Sequence, residues 1–315
     1  MQEYDPDLIH LHNIHGYYIN IELLFNYLKK AGKPVIWTLH DCWSYTGHCA
    51  YYTAAGCGRW ETVACSDGCP QLRQYPKCVG KSNPAENFQR KRTAFLGVPN
   101  LTLVTPSRWL AGEVKRSFLG SYPVEVIPNG IDLEQFRPTP GDFRRRNGLE
   151  GKRILLGVSN GWNERKGISD FLELAGQIDA NSKIVLVGLS KRQIKGLPAN
   201  VLGLERTESI RELAEIYTTA DVFLNLSREE TQGMTTVEAL ACGTPVLTYN
   251  QTAVPETVDS TCGTIVPPYV QNVLEALDKV RFPENACRKR AEQYDKWSRF
   301  MGYLSLYHCS LNSAR

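Results

Sequence analysis

No stretch of this sequence stays apolar for eighteen residues, so no membrane-spanning helix is expected. Neither sign of charge dominates: 36 Lys and Arg face 33 Asp and Glu, and the resulting +3 is too mild to argue for a nucleic-acid partner. Internal repeats and low-complexity tracts are missing, which excludes solenoids and tails. The opening MQEYDPDLIH lacks a basic segment followed by an apolar one, so no secretory leader is expected. The expected location is therefore cytoplasmic, and the ten cysteines are expected to be reduced. What remains is an ordinary soluble composition, 42% apolar and 22% charged, over 315 residues, enough for two domains.

The chain is organised around Asn225 to Tyr249. Val222 to Leu226 reads as a buried strand. A polar loop containing Gly233 follows, then a helix from Thr235 to Ala241, stopped by Gly243 and Pro245 before a second apolar strand. In an open α/β sheet such a loop faces the binding crevice. Glu230 and Glu238 stand eight residues apart, with Gly233, Met234, Thr235 and Thr236 between them. Free N–H groups at a helix start attract an anion, and Gly233 allows close approach to the backbone. Two carboxylates beside an anion site suit a sugar nucleotide, which has hydroxyls at both ends and a diphosphate between. Thr235-x-x-Glu238 also reads as a capping box, in which Glu238 only ties the helix start. Spacing leaves both readings open.

Along the chain, Asp7 to His12 is a strand, Ile19 to Lys30 a helix closed by Gly32, and Pro34 to Leu39 the next strand, a βαβ unit that implies a parallel sheet. No glycine-rich turn precedes the first strand, so the first domain is expected to be incomplete, with an apolar strand bared at its edge. His40 and Asp41 end a strand at the carboxyl edge, where ligands bind. His10, His12 and His15 carry less signal, and one of them is expected to reach the cleft. Cys42 to Cys78 is a cysteine-rich insertion in which Cys49, Cys57, Cys65 and Cys69 lie near Gly56, Gly58 and Gly68. The spacing leaves a closed structural zinc site, reduced packing cysteines and disulfides all open; His48 is an alternative ligand, and Cys42 and Cys78 read as packing residues. Asn87 to Phe95 reads as a basic, partly amphipathic helix. Its cations are either a solvated face or a contact for anionic lipid.

Leu101 to Pro106 and Val124 to Ile127 are strands, with Ser107 capping a helix between them and an Asn-Gly turn after them. The second domain starts near Arg153. Its first strand leads into Arg165-Lys166-Gly167 just before a helix. Cations there oppose the helix dipole unless an anion lies between. From Ala291 to Leu311, Tyr294, Trp297, Phe300, Met301, Leu304 and Tyr307 share one helical face, expected to pack.

Four motifs in order, Thr38-Leu39-His40, Pro128-Asn129-Gly130-Ile131-Asp132, Lys166-Gly167 and Glu230 with Glu238, resemble those of the GT-B glycosyltransferases of the family 4, group 1 type, in its exopolysaccharide and colanic-acid-like branch. The resemblance implies an α/β fold of two Rossmann-like domains with parallel sheets facing a cleft. The divisions are residues 1–132 (acceptor side, incomplete, with the insertion at 42–78), 133–290 (nucleotide-sugar side), and 291–315, a helix crossing back. It implies retaining transfer of a sugar from a nucleotide-diphosphate donor to a glycan or lipid-linked acceptor in surface polysaccharide synthesis. Lys166 and Arg165 would grip the diphosphate, Glu230 the sugar, Glu238 the ribose, the Gly233 to Thr236 amides the phosphates, and His40 the sugar from the first domain. No cofactor is required. The family's second cation, six residues before Lys166, is Asn160 here. ACSDGCP resembles the cysteine segment of some relatives but carries one extra residue in its Cys pair. Peripheral contact with the inner face of the membrane is a further expectation. The alternatives are a non-catalytic nucleotide-sugar-binding relative and, with less support, a sugar-nucleotide epimerase.

Overall fold

A computed structural model describes residues 4–16, 18–62, 65, 69, 71–73, 75–76 and 83–313. Gly68 and Cys78, named above, lie outside them. The chain divides into two units: Met1–Pro128 with Phe300–Arg315, and Asn129–Arg299.

The first unit runs β1 (Ile9–Leu11), α1 (Ile21–Ala31), β2 (Val35–Thr38), α2 (Arg59–Thr62), α3 (Pro84–Phe95), β3 (Leu101–Thr105), α4 (Arg108–Arg116) and β4 (Val124–Val126). Its four strands are all parallel and lie in chain order, with β1 at one edge. Helix α1 begins where the Asn20 side chain accepts from Glu22 N (3.0 Å) and Leu23 N (3.1 Å), and it ends on Gly32. The core is aromatic: Phe25 stacks on Phe95 at 4.5 Å between ring centres, and Trp37 meets Phe95 edge-on at 5.0 Å.

The second unit runs α5 (Phe143–Arg146), β5 (Arg153–Val158), α6 (Ile168–Ala175), β6 (Ser182–Val187), α7 (Lys191–Ile194), β7 (Val201–Leu204), α8 (Ile210–Thr219), β8 (Val222–Asn225), α9 (Met234–Ala241), β9 (Val246–Tyr249), β10 (Gly263–Val266), α10 (Val270–Leu277) and α11 (Glu284–Glu292). The parallel sheet has the order β10-β9-β8-β5-β6-β7. Counted within the unit, that is the doubly wound 3-2-1-4-5-6 arrangement. Alternate residues of each strand feed two apolar clusters. Ile154, Leu156 and Phe223 line one, and Leu155, Leu224 and Leu247 line the other, so helices cover both faces. The topological switch point lies between β5 and β8, and the loops leaving their carboxyl ends part there.

Two sequence expectations need correction. The basic face of α3 is not three solvated cations. Lys91 is buried, donating to the carbonyls of Trp43 (2.7 Å) and Thr46 (3.0 Å) with its ammonium 3.6 Å from the Trp43 ring centre, while Arg90 pairs with Glu22. Lys91 shares its helical face with Phe88 and Phe95, so packing α3 on the sheet buries it too. The apolar tail face does not pack either. It lies on α12 (Lys296–Ser313), where Trp297, Phe300, Met301 and Leu304 are 66%, 50%, 58% and 46% exposed. The side of α12 that meets the first unit's sheet instead carries Tyr303 and Tyr307.

The Pro-Asn-Gly-Ile-Asp segment is anchored rather than free. Gln232 binds Asn129 through both backbone groups, accepting from its N–H (2.8 Å) and donating to its carbonyl (3.1 Å). Ile131 pairs with Tyr294 and Lys296 main chain, and Asp132 binds Lys296 at 2.6 Å. Two helix-entry residues, Lys296 and Asp132, thereby hold the segment to the start of α12.

Candidate functional site

In the second unit, the loops after β5 and β8 bring together residues 64 positions apart. Lys166 Nζ meets Glu230 Oε1 across the switch point, and Ser227 Oγ donates to the same carboxylate at 3.1 Å. Arg165 Nη1 donates to the Glu229 carbonyl (2.9 Å), and the Arg165 carbonyl accepts from Arg228 N (2.8 Å), tying the two loops along their length. Gly167 lets them approach. It sits at φ +76°, and a side-chain carbon there would fall 2.3 Å from the Leu226 carbonyl oxygen. Three groups that sequence reading passed over hold Glu230. Ser227 is one. Thr252 is another, a β-branched residue at φ +47° whose hydroxyl accepts from Glu230 N (2.9 Å) and donates to Glu230 O (2.8 Å). A β-branched side chain in left-handed backbone is strain that persists only where surrounding contacts impose it. The third is Thr252's neighbour Ala253, whose N–H also reaches the Glu230 carbonyl.

Helix α9 starts one residue earlier than its pattern implies. Gly233 is the N-cap at φ +85°, and no side chain caps the helix. The capping box does not form. Glu238 turns instead to Tyr217 on α8, whose hydroxyl donates to Oε2 at 2.8 Å. Thr236 is likewise occupied: its hydroxyl accepts from Asn225 Nδ2 (2.9 Å) and its N–H from the loop side donates to Gly233 O (3.0 Å). The Met234 and Thr235 end of α9 thus points its dipole at the loop that carries Glu230. Burial pushes the Glu238 carboxyl up to about 7, against the Tyr217 hydrogen bond, which lowers it. Asn160 lies exposed in the loop after β5.

In the first unit, His40 follows β2 and His12 follows β1. His12 Nδ1 and His40 Nε2 are 3.0 Å apart with the rings stacked, 14° from parallel. His10 lies against His12 at 4.3 Å between ring centres, and its nitrogens reach Tyr307 Oη (2.6 Å) and Thr38 Oγ1 (2.8 Å). His15 binds Asp41 at 2.8 Å, and Asp41 also accepts from Trp43 N. Burial lowers the pKa of all three stacked histidines, taking His10 down to about 4. His12 was the least marked of these in sequence, although the His-x-His alternation on a strand does place His10 and His12 on one face.

The family model for glycosyl transferases group 1 matches residues 141–297, and that for glycosyltransferase family 4 matches residues 1–135. The chain belongs to these glycosyltransferases. Among curated proteins, this glycosyltransferase chain is 25% identical over 272 residues to the colanic acid biosynthesis glycosyl transferase WcaC of Escherichia coli (strain K12), covering 83% of this chain and 64% of WcaC. It is 29% identical over 201 residues to the processive diacylglycerol alpha-glucosyltransferase of Acholeplasma laidlawii, covering 56% of this chain and 60% of that enzyme. The chain therefore spans somewhat less than two thirds of the length of these relatives. Among solved structures, sucrose-phosphate synthase from Thermosynechococcus elongatus superposes with a TM-score of 0.74 at 21% identity, covering 100% of this chain and 76% of that one. HepE of Anabaena, in complex with UDP, gives 0.59 at 16%, covering 96% and 100%. The fold is GT-B.

The cysteine segment forms no ligand set among the described residues: no three His, Cys, Asp or Glu side chains are arranged to hold a metal ion. Cys49, Cys57, Cys65 and Cys69 carry no disulfide, and Cys42 packs in the core. Burial pushes the Cys49 thiol up to about 12, with Cys69 and Cys65 adding to the effect, so an unliganded Cys49 stays protonated. Cys65 Sγ accepts from Gly47 N at 3.1 Å.

Proposed function

We propose that this glycosyltransferase moves a hexosyl group from a nucleotide-diphosphate donor to a glycan or lipid-linked acceptor, with retention. The observation that carries the reading is the Lys166–Glu230 pair at the switch point, beside the uncapped start of α9. A diphosphate entering there offers Lys166 a new anionic partner and meets the α9 amides, which stabilise charge developing on the leaving group without a divalent ion. Glu230, released from the lysine, is then available for sugar hydroxyls, its backbone already clamped by Thr252. Glu238, joined to Tyr217, holds the ribose. Arg165 steadies the loop and supports the phosphate contacts. His40 reaches the sugar from the first unit. A retaining course needs no protein nucleophile when the leaving phosphate takes the acceptor's proton on the same face.

The names of the relatives favour surface glycans or glycolipids as products, made at the cytoplasmic side of the membrane. Zinc on Cys49, Cys57, Cys65 and Cys69 is a separate proposal that metal analysis of the purified protein decides, and no step above uses it. A second reading, a non-catalytic nucleotide-sugar binder, is favoured by Asn160 standing where the family places a cation.

Calorimetric titration with UDP, GDP and their common sugars tests the donor site, with Glu238→Ala as the control. The expected result is micromolar binding that the variant loses. Binding followed by turnover only when acceptor is present establishes transfer, turnover without acceptor to an epimeric sugar establishes epimerisation, and binding without turnover establishes the second reading. Absence of binding by well-folded protein overturns all three.

A further inference from the structure

We propose that His12 is a positioning residue for His40: its hydrogen bond decides which ring nitrogen of His40 carries the proton, and hence whether His40 presents a donor or an acceptor to the sugar. This inference rests on the reading of His40 as a sugar-facing residue.

The placement follows from strand geometry. β1 and β2 are parallel with Leu11 level with Trp37, so His12 is level with Thr38. Alternate residues share a face, which puts His10 and His12 of one strand on the same side as Thr38 and His40 of the other, at the carboxyl end of the sheet. His12 Nδ1 and His40 Nε2 then stand 3.0 Å apart. At that distance one nitrogen bears a hydrogen and the other offers a lone pair.

The surroundings keep both rings neutral. Burial lowers the pKa of each, and His12 opposes a proton on His40; Asp41 acts the other way on His40 but ranks below both. The groups around the pair are His10 on β1, Thr38 on β2, Asp41 next along the chain, and Tyr303 and Tyr307 on α12. His10 is held neutral, with one nitrogen at Tyr307 and the other at Thr38, whose hydroxyl continues to Tyr303 (3.1 Å). Two neutral imidazoles joined by one hydrogen bond have coupled tautomers: fixing the proton on one fixes it on the other. His10, stacked at 4.3 Å, holds the His12 ring in the plane that makes this bond.

Three variants separate the hydrogen bond from the packing. His12→Phe keeps a flat ring against His10 and has no ring nitrogen. His12→Asn has no ring but places an amide near the former Nδ1. His40→Ala is the reference. Two readouts are taken: the imidazole ¹⁵N shifts of His40, and release of nucleoside diphosphate from UDP-glucose or GDP-mannose, whichever wild-type protein turns over. The expectation is a single neutral tautomer of His40 in wild type and in His12→Asn, and a mixture in His12→Phe. For turnover we expect kcat at least tenfold lower in His12→Phe with KM within about twofold, kcat within about threefold of wild type in His12→Asn, and no further loss when His12→Phe is added to His40→Ala. Wild-type turnover in His12→Phe, an equal loss in His12→Asn, or an unchanged His40 spectrum in His12→Phe overturns the inference. If His40→Ala turns over as fast as wild type, the sugar-facing reading of His40 is what fails. If wild-type protein turns over neither compound, the proposed function fails for these donors and the spectra alone decide the pairing.

Discussion

At the scale of single residues, the site depends on charges that are compensated in pairs. Lys166 and Glu230 are both mostly buried side chains, 20% and 14% exposed, and each is the other's counter-ion. Removing one leaves the other buried without its partner, so neither substitution is neutral. Lys166→Met should weaken binding of a nucleoside diphosphate about 10- to 100-fold, the loss expected for a charge-assisted phosphate contact, measured by calorimetry against wild type. Glu238 poses a different problem. Its carboxyl rises from 4.5 to about 7 on folding. The folded state therefore holds a proton that the unfolded state has released, and stability falls as pH rises through that interval. Glu238→Gln, which can still accept from Tyr217, should be more stable than wild type above pH 7. The gain is on the order of 1–2 kcal/mol after allowance for the part of the side chain that meets solvent. The difference should close below pH 4.5. Melting temperatures of the two proteins across pH 4 to 8.5 check this, and parallel curves would refute it.

At the scale of elements, function sits where strands end and helices begin. The start of α9 carries no side-chain cap because Thr236 and Glu238, the residues able to close it, are drawn to Asn225 and Tyr217. An uncapped helix start is a loss of stability that an anionic ligand offsets. The loop before α6 is held by contact rather than by capping alone: Asn163 accepts from Lys166 N at 3.2 Å, and Gly167 lies against Leu226. Gly167→Ala combines a strained φ with a collision against backbone and should cost about 1–3 kcal/mol. It should also displace Lys166. Thermal unfolding reads the first effect and nucleotide affinity the second. A variant with wild-type melting and wild-type affinity would show that the two loops do not need this approach. Helix α3 shows the opposite economy, burying Lys91 over Trp43 so that one stem fills space between sheet and helix.

At the scale of the whole molecule, the two units carry separate cores, so unfolding need not be two-state. A ligand bound by the second unit stabilises that unit first. Nucleoside diphosphate at about 100 times its Kd should add about 2.7 kcal/mol to the unit that binds it, a rise of about 5–10 °C in that transition for a domain of this size. Differential scanning calorimetry with and without ligand measures it. A shift confined to the other transition would place the nucleotide site in the first unit.

Much of this protein is determined locally and can be read from its residues. Strand and helix periods depend on which side chains face a core, and that pattern is written in the chain. So the parallel α/β arrangement, the loop after β8, and the helix starts at Ser107 and Gly233 follow from sequence to within a residue or two. Family motifs added the pairing of Lys166 with the Glu230 loop as an expectation of shared ligand, though not as a direct contact. Tertiary structure decided what depends on distant partners. Glu238 meets Tyr217 and not its own helix start because α8 packs beside α9. Thr252 clamps Glu230 from the end of another strand. Lys91 is inside because its helical face also carries Phe88 and Phe95. The face of α12 turned to the sheet is the one with Tyr303 and Tyr307, since a tyrosine hydroxyl can satisfy His10 and Thr38 while Trp297 and Phe300 offer the strand-end hydroxyl and imidazole no acceptor. His12 reaches His40 only when two parallel strands fix their register. Spacing along a chain records which residues share a face, and the hydrogen bond that a buried polar group finally makes is set by whatever the packed fold brings within reach.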